Sequence, residues 1–143
     1  MLEKTKMGRV SADIILANNR DVVNLGDGDN VLDHVKHIVV SGVVDSGAAR
    51  LVLPQRVVDQ LQLRVDGEVT VRFADNRREK RQIVSNVWLE LLGRHGVFNA
   101  VVEPAREDAL IGAIVLEDLD LLVDCATQSL YPREPDLRLT EIE

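Results

Sequence analysis

An apolar run over residues 43–54 is interrupted by a carboxylate, and this interruption constrains the fold more than any other feature of the sequence. The run breaks at Asp45-Ser46-Gly47-Ala48 and resumes as Leu51-Val52-Leu53. An ionised acid between two buried strands is costly unless it is paired, hydrogen-bonded or retained for chemistry. Gly47 permits a tight turn near the carboxylate, and the Ser46 hydroxyl can donate and accept hydrogen bonds. The sequence therefore predicts a functional site at Asp45.

A second motif lies downstream, where Leu110-Ile111-Gly112 follows a strand pattern at residues 98–102 and precedes a helical pattern at residues 114–122. Taken alone, this triplet indicates a buried strand end with a glycine leading into a helix, and Asp-Ser-Gly alone is a weak signal. In this order and spacing, the two motifs resemble those of the retropepsin-like aspartic peptidases, the retroviral-type, single-lobe family, in its bacterial-type branch. The resemblance covers roughly residues 11–132.

The resemblance implies an all-β fold, a closed acid-protease barrel with one C-terminal helix and a short helix after the active-site strand. It implies that Asp45 is catalytic and that Ser46, Gly47 and Ala48 support the active-site loop. It also implies that the backbone at Gly112 passes close beside that loop. Ala113 stands where retroviral enzymes commonly have arginine, so their ion pair between subunits is absent and dimer contacts must differ.

A long hairpin is predicted from strand patterns at residues 68–73 and 83–92, with a turn at Asp75-Asn76 in the connection over residues 74–82. The resemblance implies that residues 72–82 form a flap that closes over a bound peptide. The flap residues are Phe73, Ala74, Asp75, Asn76, Arg77 and Arg78. We interpret the positive charges at residues 77, 78, 80 and 81 as an exposed face that resists aggregation, rather than as a preference for acidic substrates.

Other strand and helix patterns flank these motifs. Strands are predicted at residues 10–17, 35–44 and 129–132. A helix is predicted at residues 54–61, with Pro54 in its first turn and Val57, Val58 and Leu61 on one side. Gly42 indicates a bend or bulge, and residues 18–30 a long hairpin connection. A hairpin turn is predicted at residues 93–96. The polar residues of the helical pattern at residues 114–122 are expected to be solvated; they are Glu117, Asp118 and Asp120. Cys125 is expected to be at least half-buried.

The composition of the 143-residue chain suits one domain, at residues 8–132, with a polar tail at residues 1–7 and a charged, mobile tail at residues 133–143. Aromatic residues make up 3% of the chain, so its core must be aliphatic, and the many valines favour strands. A net charge of -7 argues against a nucleic-acid partner. A single cysteine, no apolar leader and no membrane segment lead us to expect a cytoplasmic protein.

One signature aspartate per chain implies, through the resemblance, a homodimer in which Asp45 of each subunit activates water. The expected activity is endopeptidase cleavage of extended polypeptides, without metal or cofactor. A catalytically silent dimerisation or peptide-binding module of the same fold is the alternative. A metal-dependent hydrolase would have to use His34, His37 and His95, which lie on separate elements without ligand spacing. Asp27, Asp29 and Asp33 lack the spacing of a calcium loop.

Overall fold

The computed structural model describes residues 9–26 and 30–142. Within these residues, nine strands and four short helices follow one another. In order they are β1 (Val10–Asn18), α1 (Asn19–Leu25), α2 (Val31–His34), β2 (His37–Val44), β3 (Leu51–Leu53), α3 (Gln55–Leu61), β4 (Val65–Arg72), β5 (Arg78–Leu91), β6 (Arg94–Val102), β7 (Ala109–Ile111), α4 (Ala113–Leu119), β8 (Leu121–Asp124) and β9 (Ser129–Pro132). None of these helices has the length and apolar content needed to cross a bilayer.

Six strands close into a barrel. Their order is β1-β2-β7-β3-β6-β5, and β1 pairs with β5 to complete the ring. Strand β4 pairs with β5 outside the ring and forms a projecting hairpin, while β8 and β9 form a separate two-stranded sheet. The predicted fold class, an all-β closed barrel with a few short helices, is confirmed.

The barrel interior is filled by aliphatic side chains. Ile14, Leu16, Leu53, Leu89 and Ile111 are at most marginally accessible to solvent, as expected for a chain with so few aromatic residues. Burying each such side chain contributes about 1.5–3 kcal/mol to folding. Helices α3 and α4 each add three buried residues to this core, and in both helices these residues have the same i, i+1, i+4 spacing. The helix predicted at residues 54–61 therefore packs on the barrel as expected, although it begins at Gln55 with Pro54 as its N-cap.

The connection between β1 and β2, predicted from its turn residues as a long hairpin connection, contains two short helices. Helix α1 begins there because the Asn18 side chain accepts a hydrogen bond from the Arg20 amide at 2.9 Å, which caps the helix. Asn30 caps α2 in the same way, accepting from Leu32. The asparagines that predicted turns thus act as helix N-caps, because asparagine is favoured at both kinds of position. Asp27 and Asp29 lie outside the described residues.

Asn18 also ties this region to α3, and its replacement by alanine should be destabilising. Its amide nitrogen donates to the carbonyls of Leu61 and Gln62, both at 3.1 Å, and the residue is 4% exposed. Asn18→Ala removes the helix cap and the hydrogen-bond donor of the Leu61 and Gln62 carbonyls. We therefore expect the free energy of unfolding to fall by about 2 kcal/mol. Urea unfolding measures this loss. Asn30→Ala, which removes an exposed cap alone, is the matched control and should cost less; equal losses would contradict the argument.

The C-terminal part of the chain corrects three predictions. The helix ends at Leu119 rather than residue 122 because Asp120 adopts a left-handed conformation (φ 59°) and Leu121 begins a strand paired with β9. Asp120 is buried rather than solvated: its carboxylate lies 2.8 Å from Arg133 Nε and accepts from the Leu139 amide. Cys125 is exposed, because it lies in the turn between β8 and β9.

The segment predicted as a mobile tail makes specific contacts with the barrel. The Arg94 guanidinium donates to the carbonyls of Glu134 and Leu137. Arg138 donates to the His95 carbonyl and pairs with Asp118 at 2.7 Å. Charged residues in this segment therefore serve as anchors, which composition alone does not distinguish from solvated charges.

Two turn predictions also change. Gly42 makes no bulge, since β1 and β2 pair without a register shift. A Cβ at this position would lie 2.7 Å from Ile111 Cδ1, so the glycine makes room for a side chain of β7. The turn between β5 and β6 lies at Leu92 and Gly93, both with positive φ, one residue earlier than predicted.

Candidate active site

Asp45 follows directly after β2, and its backbone is fixed by the neighbouring strand. The Asp45 amide donates to the Ile111 carbonyl at 3.0 Å, which extends the pairing of β2 with β7 by one residue. Its carboxylate oxygen Oδ1 accepts from the Gly47 amide at 2.9 Å, and its carbonyl accepts from the Ala48 amide. These bonds close a tight turn that presents the carboxylate in a defined direction.

Asp45 is exposed, so the expectation of a carboxylate enclosed between two strands is wrong for the single chain. The physical reason is that β2 ends at Val44 and the turn over residues 45–48 lies beyond the barrel core. Ser46 is exposed as well, and no hydrogen-bond partner for its hydroxyl lies within the described ranges. The turn over residues 45–47 therefore lies on the surface of the single chain.

The two sequence motifs meet in space. The Ala113 amide donates to the Ala48 carbonyl at 2.8 Å, and the Ile114 amide donates to the Ala49 carbonyl at 2.9 Å. A Cβ on Gly112 would collide with the carbonyl oxygen of Arg50 and would lie 2.8 Å from that of Ala48. Only a glycine fits here without movement of the backbone. The first turn of α4 thus braces the loop that carries Asp45.

A cleft of about 470 Å³ adjoins this loop. Its floor includes Gly47 and Ala48, and Val71 and Phe73 of the β4–β5 hairpin form another part of its wall. Apolar side chains from β3, β6 and β7 also face it; these are Val52, Val101 and Leu110. The hairpin predicted as the flap therefore lies across a cleft from the Asp45 loop.

The tip of this hairpin is a five-residue connection, shorter than the nine residues predicted. The Phe73 amide donates to the Arg77 carbonyl, and Asn76 has a positive φ of 70°. The Asp75 carboxylate accepts from the Arg77 amide at 3.0 Å. Arg78 already belongs to β5. Asparagine at the left-handed position explains how the tip turns without glycine.

The positive charges of the hairpin are mostly paired with carboxylates. Arg77 lies 3.0 Å from Glu79, and Arg81 lies 2.9 Å from Glu79 and 3.0 Å from Glu103. The hydrogen bonds from Glu79 and then Glu103 raise the pKa of the Arg81 guanidinium above its ordinary value. Both arginines also lie over the Phe73 ring, at 4.4 and 5.7 Å. This internal pairing supports our interpretation that these charges do not select a substrate.

The Arg81–Glu103 ion pair joins the hairpin to the end of β6 and was missed from the sequence. The two residues are 22 positions apart, and no periodicity links them. Arg50 and Arg106 of the cleft wall were missed as well. For Arg50 the available signal was its place directly before β3, between the Asp45 motif and Val52.

The three histidines lie on different parts of the molecule. His34 ends α2, His37 begins β2 with Nδ1 2.9 Å from the Val35 carbonyl, and His95 stacks on Trp88 in the barrel wall. Within residues 9–26 and 30–142, no three histidine, cysteine or acidic side chains group as metal ligands would.

Comparisons with known proteins place the fold. No protein-family model matches the sequence, and no curated protein matches it. Among solved structures, the EIAV protease complexed with the inhibitor HBY-793 is similar, with 15% sequence identity, a TM-score of 0.55, and coverage of 78% of this chain and 88% of that one. The solution structure of Simian Foamy Virus (mac) protease matches at 13% identity, covering 55% of this chain and 80% of that one, with a TM-score of 0.44. The narrower placement with bacterial-type members stays a prediction. The chain has the retropepsin-like fold.

Proposed function

We propose that this protein is an aspartic endopeptidase that acts as a homodimer, with one Asp45 from each subunit. The observation that carries the proposal is the exposed Asp45 carboxylate, fixed by the Ile111 and Gly47 backbone beside a cleft under a hairpin. The sequence contains no second Asp-Thr/Ser-Gly, so a two-carboxylate site requires a second chain. A single chain would supply only one of the two carboxylates that this chemistry needs, and the fold alone does not establish the activity.

The chemistry requires two carboxyls in contact. They cannot both ionise at that distance, so the pair holds one shared proton. The ionised carboxyl takes a proton from water as the water oxygen attacks the scissile carbonyl carbon, and the protonated carboxyl donates to the carbonyl oxygen. A neutral gem-diol forms. Its collapse breaks the C–N bond as the protonated carboxyl donates a proton to the leaving amine and the ionised carboxyl takes a proton from a gem-diol hydroxyl, with no covalent acyl-enzyme and no cofactor.

The neighbouring residues would position the pair. The Gly47 amide already donates to Asp45, which orients the carboxylate. Ser46 would join a hydrogen-bond network across the two loops, and Ala48 would pack at the cleft floor. A hairpin over a cleft suits an extended peptide held by main-chain hydrogen bonds. Leu110, Ile111 and Gly112 would support the loop from behind.

The proposed dimer should show in the dependence of activity on concentration. Ala113 offers no side chain for an ion pair, so subunit contacts would rest on the Asp45 loops and on strand pairing by terminal segments. We expect specific activity to fall as the protein concentration is lowered past the dissociation constant of the dimer. The fall should parallel the dimer fraction measured by analytical ultracentrifugation. Constant specific activity across a wide dilution range, with monomers present, would contradict a shared site.

Digestion of a mixed peptide library tests the function itself. The wild type is incubated from pH ~4 to ~7, since the shared proton should be lost at high pH and the ionised base at low pH. Mass spectrometry identifies the products, and a pepstatin-like inhibitor should block them. If a confirmed dimer cleaves nothing across this range, the alternative of a silent dimerisation or peptide-binding module is favoured.

A further inference from the structure

Arg50 is a cation in the cleft wall that the proposed chemistry does not use. We propose that Arg50 determines specificity by pairing with an acidic side chain, aspartate or glutamate, that the substrate places in the cleft beside the scissile bond. This inference rests on the proposed peptidase function and adds a substrate class to it.

The position of Arg50 directs it to the cleft. It lies in a bend of the chain directly before β3, where Leu51 and Leu53 are buried and Val52 faces the cleft. Both Arg50 and Val52 line the cleft. The carbonyl of Arg50 lies against Gly112, which fixes the backbone from which the side chain extends.

Two of the three other charged residues of the cleft wall are already paired. Glu103 pairs with Arg81 at 3.0 Å, and Arg106 pairs with Asp108 at 2.8 Å. Within the described ranges, no carboxylate lies at ion-pair distance from Arg50, although the chain carries a net charge of -7. Arg50 therefore leaves the cleft with an uncompensated positive charge.

Arg72 also borders the cleft, but strand alternation gives it a different role. Val71 and Phe73 are half-buried on the inner face of the hairpin, and Arg72 between them is exposed. In a strand, successive side chains point to opposite faces, so the Arg72 side chain belongs to the outer face. Arg50 is the better candidate for contact with a substrate.

The remainder of the cleft strengthens the selection. Its other walls are largely aliphatic, and a charge pair is stronger where water is partly excluded. A guanidinium can bind a carboxylate through two parallel hydrogen bonds. A glutamate side chain would offer methylenes to Val52 and Leu110 and a carboxylate to Arg50. In the proposed dimer, the two-fold axis would place one such subsite on each side of the scissile bond.

Matched peptide pairs test the inference. Library products supply host peptides, and each is made with Glu or Gln, and with Asp or Asn, at positions flanking the cleaved bond. At pH ~6 the peptide carboxylates are ionised. We expect wild-type kcat/KM to favour the acidic member by about tenfold, as a charge-assisted hydrogen bond would give.

Variants then assign the preference to one side chain. Arg50→Gln should bring the Glu/Gln ratio close to one while cleavage of the Gln peptides continues. Arg50→Glu should favour peptides with lysine at the same position. Arg64→Gln is the control, because it changes net charge equally at an exposed residue that lines a different cavity. The control should keep the wild-type ratio.

The outcomes separate this inference from the proposed function. Equal cleavage of both members by the wild type, or a ratio unchanged in Arg50→Gln, overturns the inference and leaves the peptidase in place. If no peptide is cleaved, the proposed function fails, and fluorescence-anisotropy binding of the same labelled pairs decides the inference. Equal affinities of the Glu and Gln peptides would then overturn it.

Discussion

Replacing Asp45 by asparagine should lower kcat/KM by about 10²- to 10⁴-fold, the range expected when a general acid–base group is removed. The amide can neither take a proton from water nor share one with its partner. The fold should persist, because asparagine can still accept the hydrogen bond that Asp45 Oδ1 receives from Gly47. Measurements are initial rates on library-derived peptides and the melting temperature of each protein.

Mixed dimers sharpen this prediction. When wild type and Asp45→Asn are combined in equal amounts and allowed to exchange subunits, random pairing leaves about a quarter of dimers with two aspartates. Activity per total dimer should fall to that fraction if the site is shared. Asp13→Asn, at an exposed position of β1, is the matched control and should leave activity unchanged. Retention of half of the activity in the mixture would show that each subunit works alone.

Replacing Gly112 by alanine should be strongly destabilising. The added Cβ would collide with the Arg50 carbonyl oxygen and lie 2.8 Å from both the Ala48 oxygen and the Ala49 carbonyl carbon. These are backbone atoms, which cannot rotate away as a flexible side chain can. We expect a loss of about 3 kcal/mol or more in unfolding free energy, the upper range for overpacking. Chemical denaturation with the midpoint and slope both fitted measures it.

A second glycine separates crowding from backbone conformation. Gly93 has φ 77°, and a Cβ there would meet no atom within 4 Å. Gly93→Ala should therefore cost only the left-handed backbone penalty, about 1–2 kcal/mol. A Gly112→Ala variant that unfolds at the wild-type denaturant concentration would show that α4 does not press on the Asp45 loop. Loss of activity in a Gly112→Ala protein that remains folded would locate the effect in the loop itself.

The barrel was predictable because most of its strands have local signals in the sequence. Alternating aliphatic residues mark β1 and β6, and the two motifs specify where β2 and β7 end. Helix α3 has a proline before it and three apolar residues on one face, which is a local signal. Local patterns of this kind predict the fold well, since pairing partners are then restricted by chain order.

The missed features depend on contacts between distant residues. Asn18 caps a helix and bonds to α3, yet the same residue type predicts a loop. Asp120 is buried because Arg133 reaches it from beyond β9. The exposure of Asp45 follows from where a barrel strand ends in space, which sequence periodicity does not encode. Arg50 was missed because its significance comes from its place in the cleft and from the pairing of Glu103 and Arg106 with other side chains.

Strand β5 is both a barrel stave and the arm of the hairpin, so the hairpin is mechanically a lever. Residues 83–91 of β5 pair with β6 and residues 87–90 pair with β1, whereas residues 78–84 pair with β4. The register shift against β6 falls between Val84 and Val87, where Asn86 has φ 60°. Beyond this shift Ile83 and Val84 still pair with β6, so the part of β5 that is held by β4 alone runs from Arg78 to Gln82. These five residues span about 16 Å, so a bend of about 10° at their base would move the hairpin tip by about 3 Å without breaking the pairing of β5 with β6.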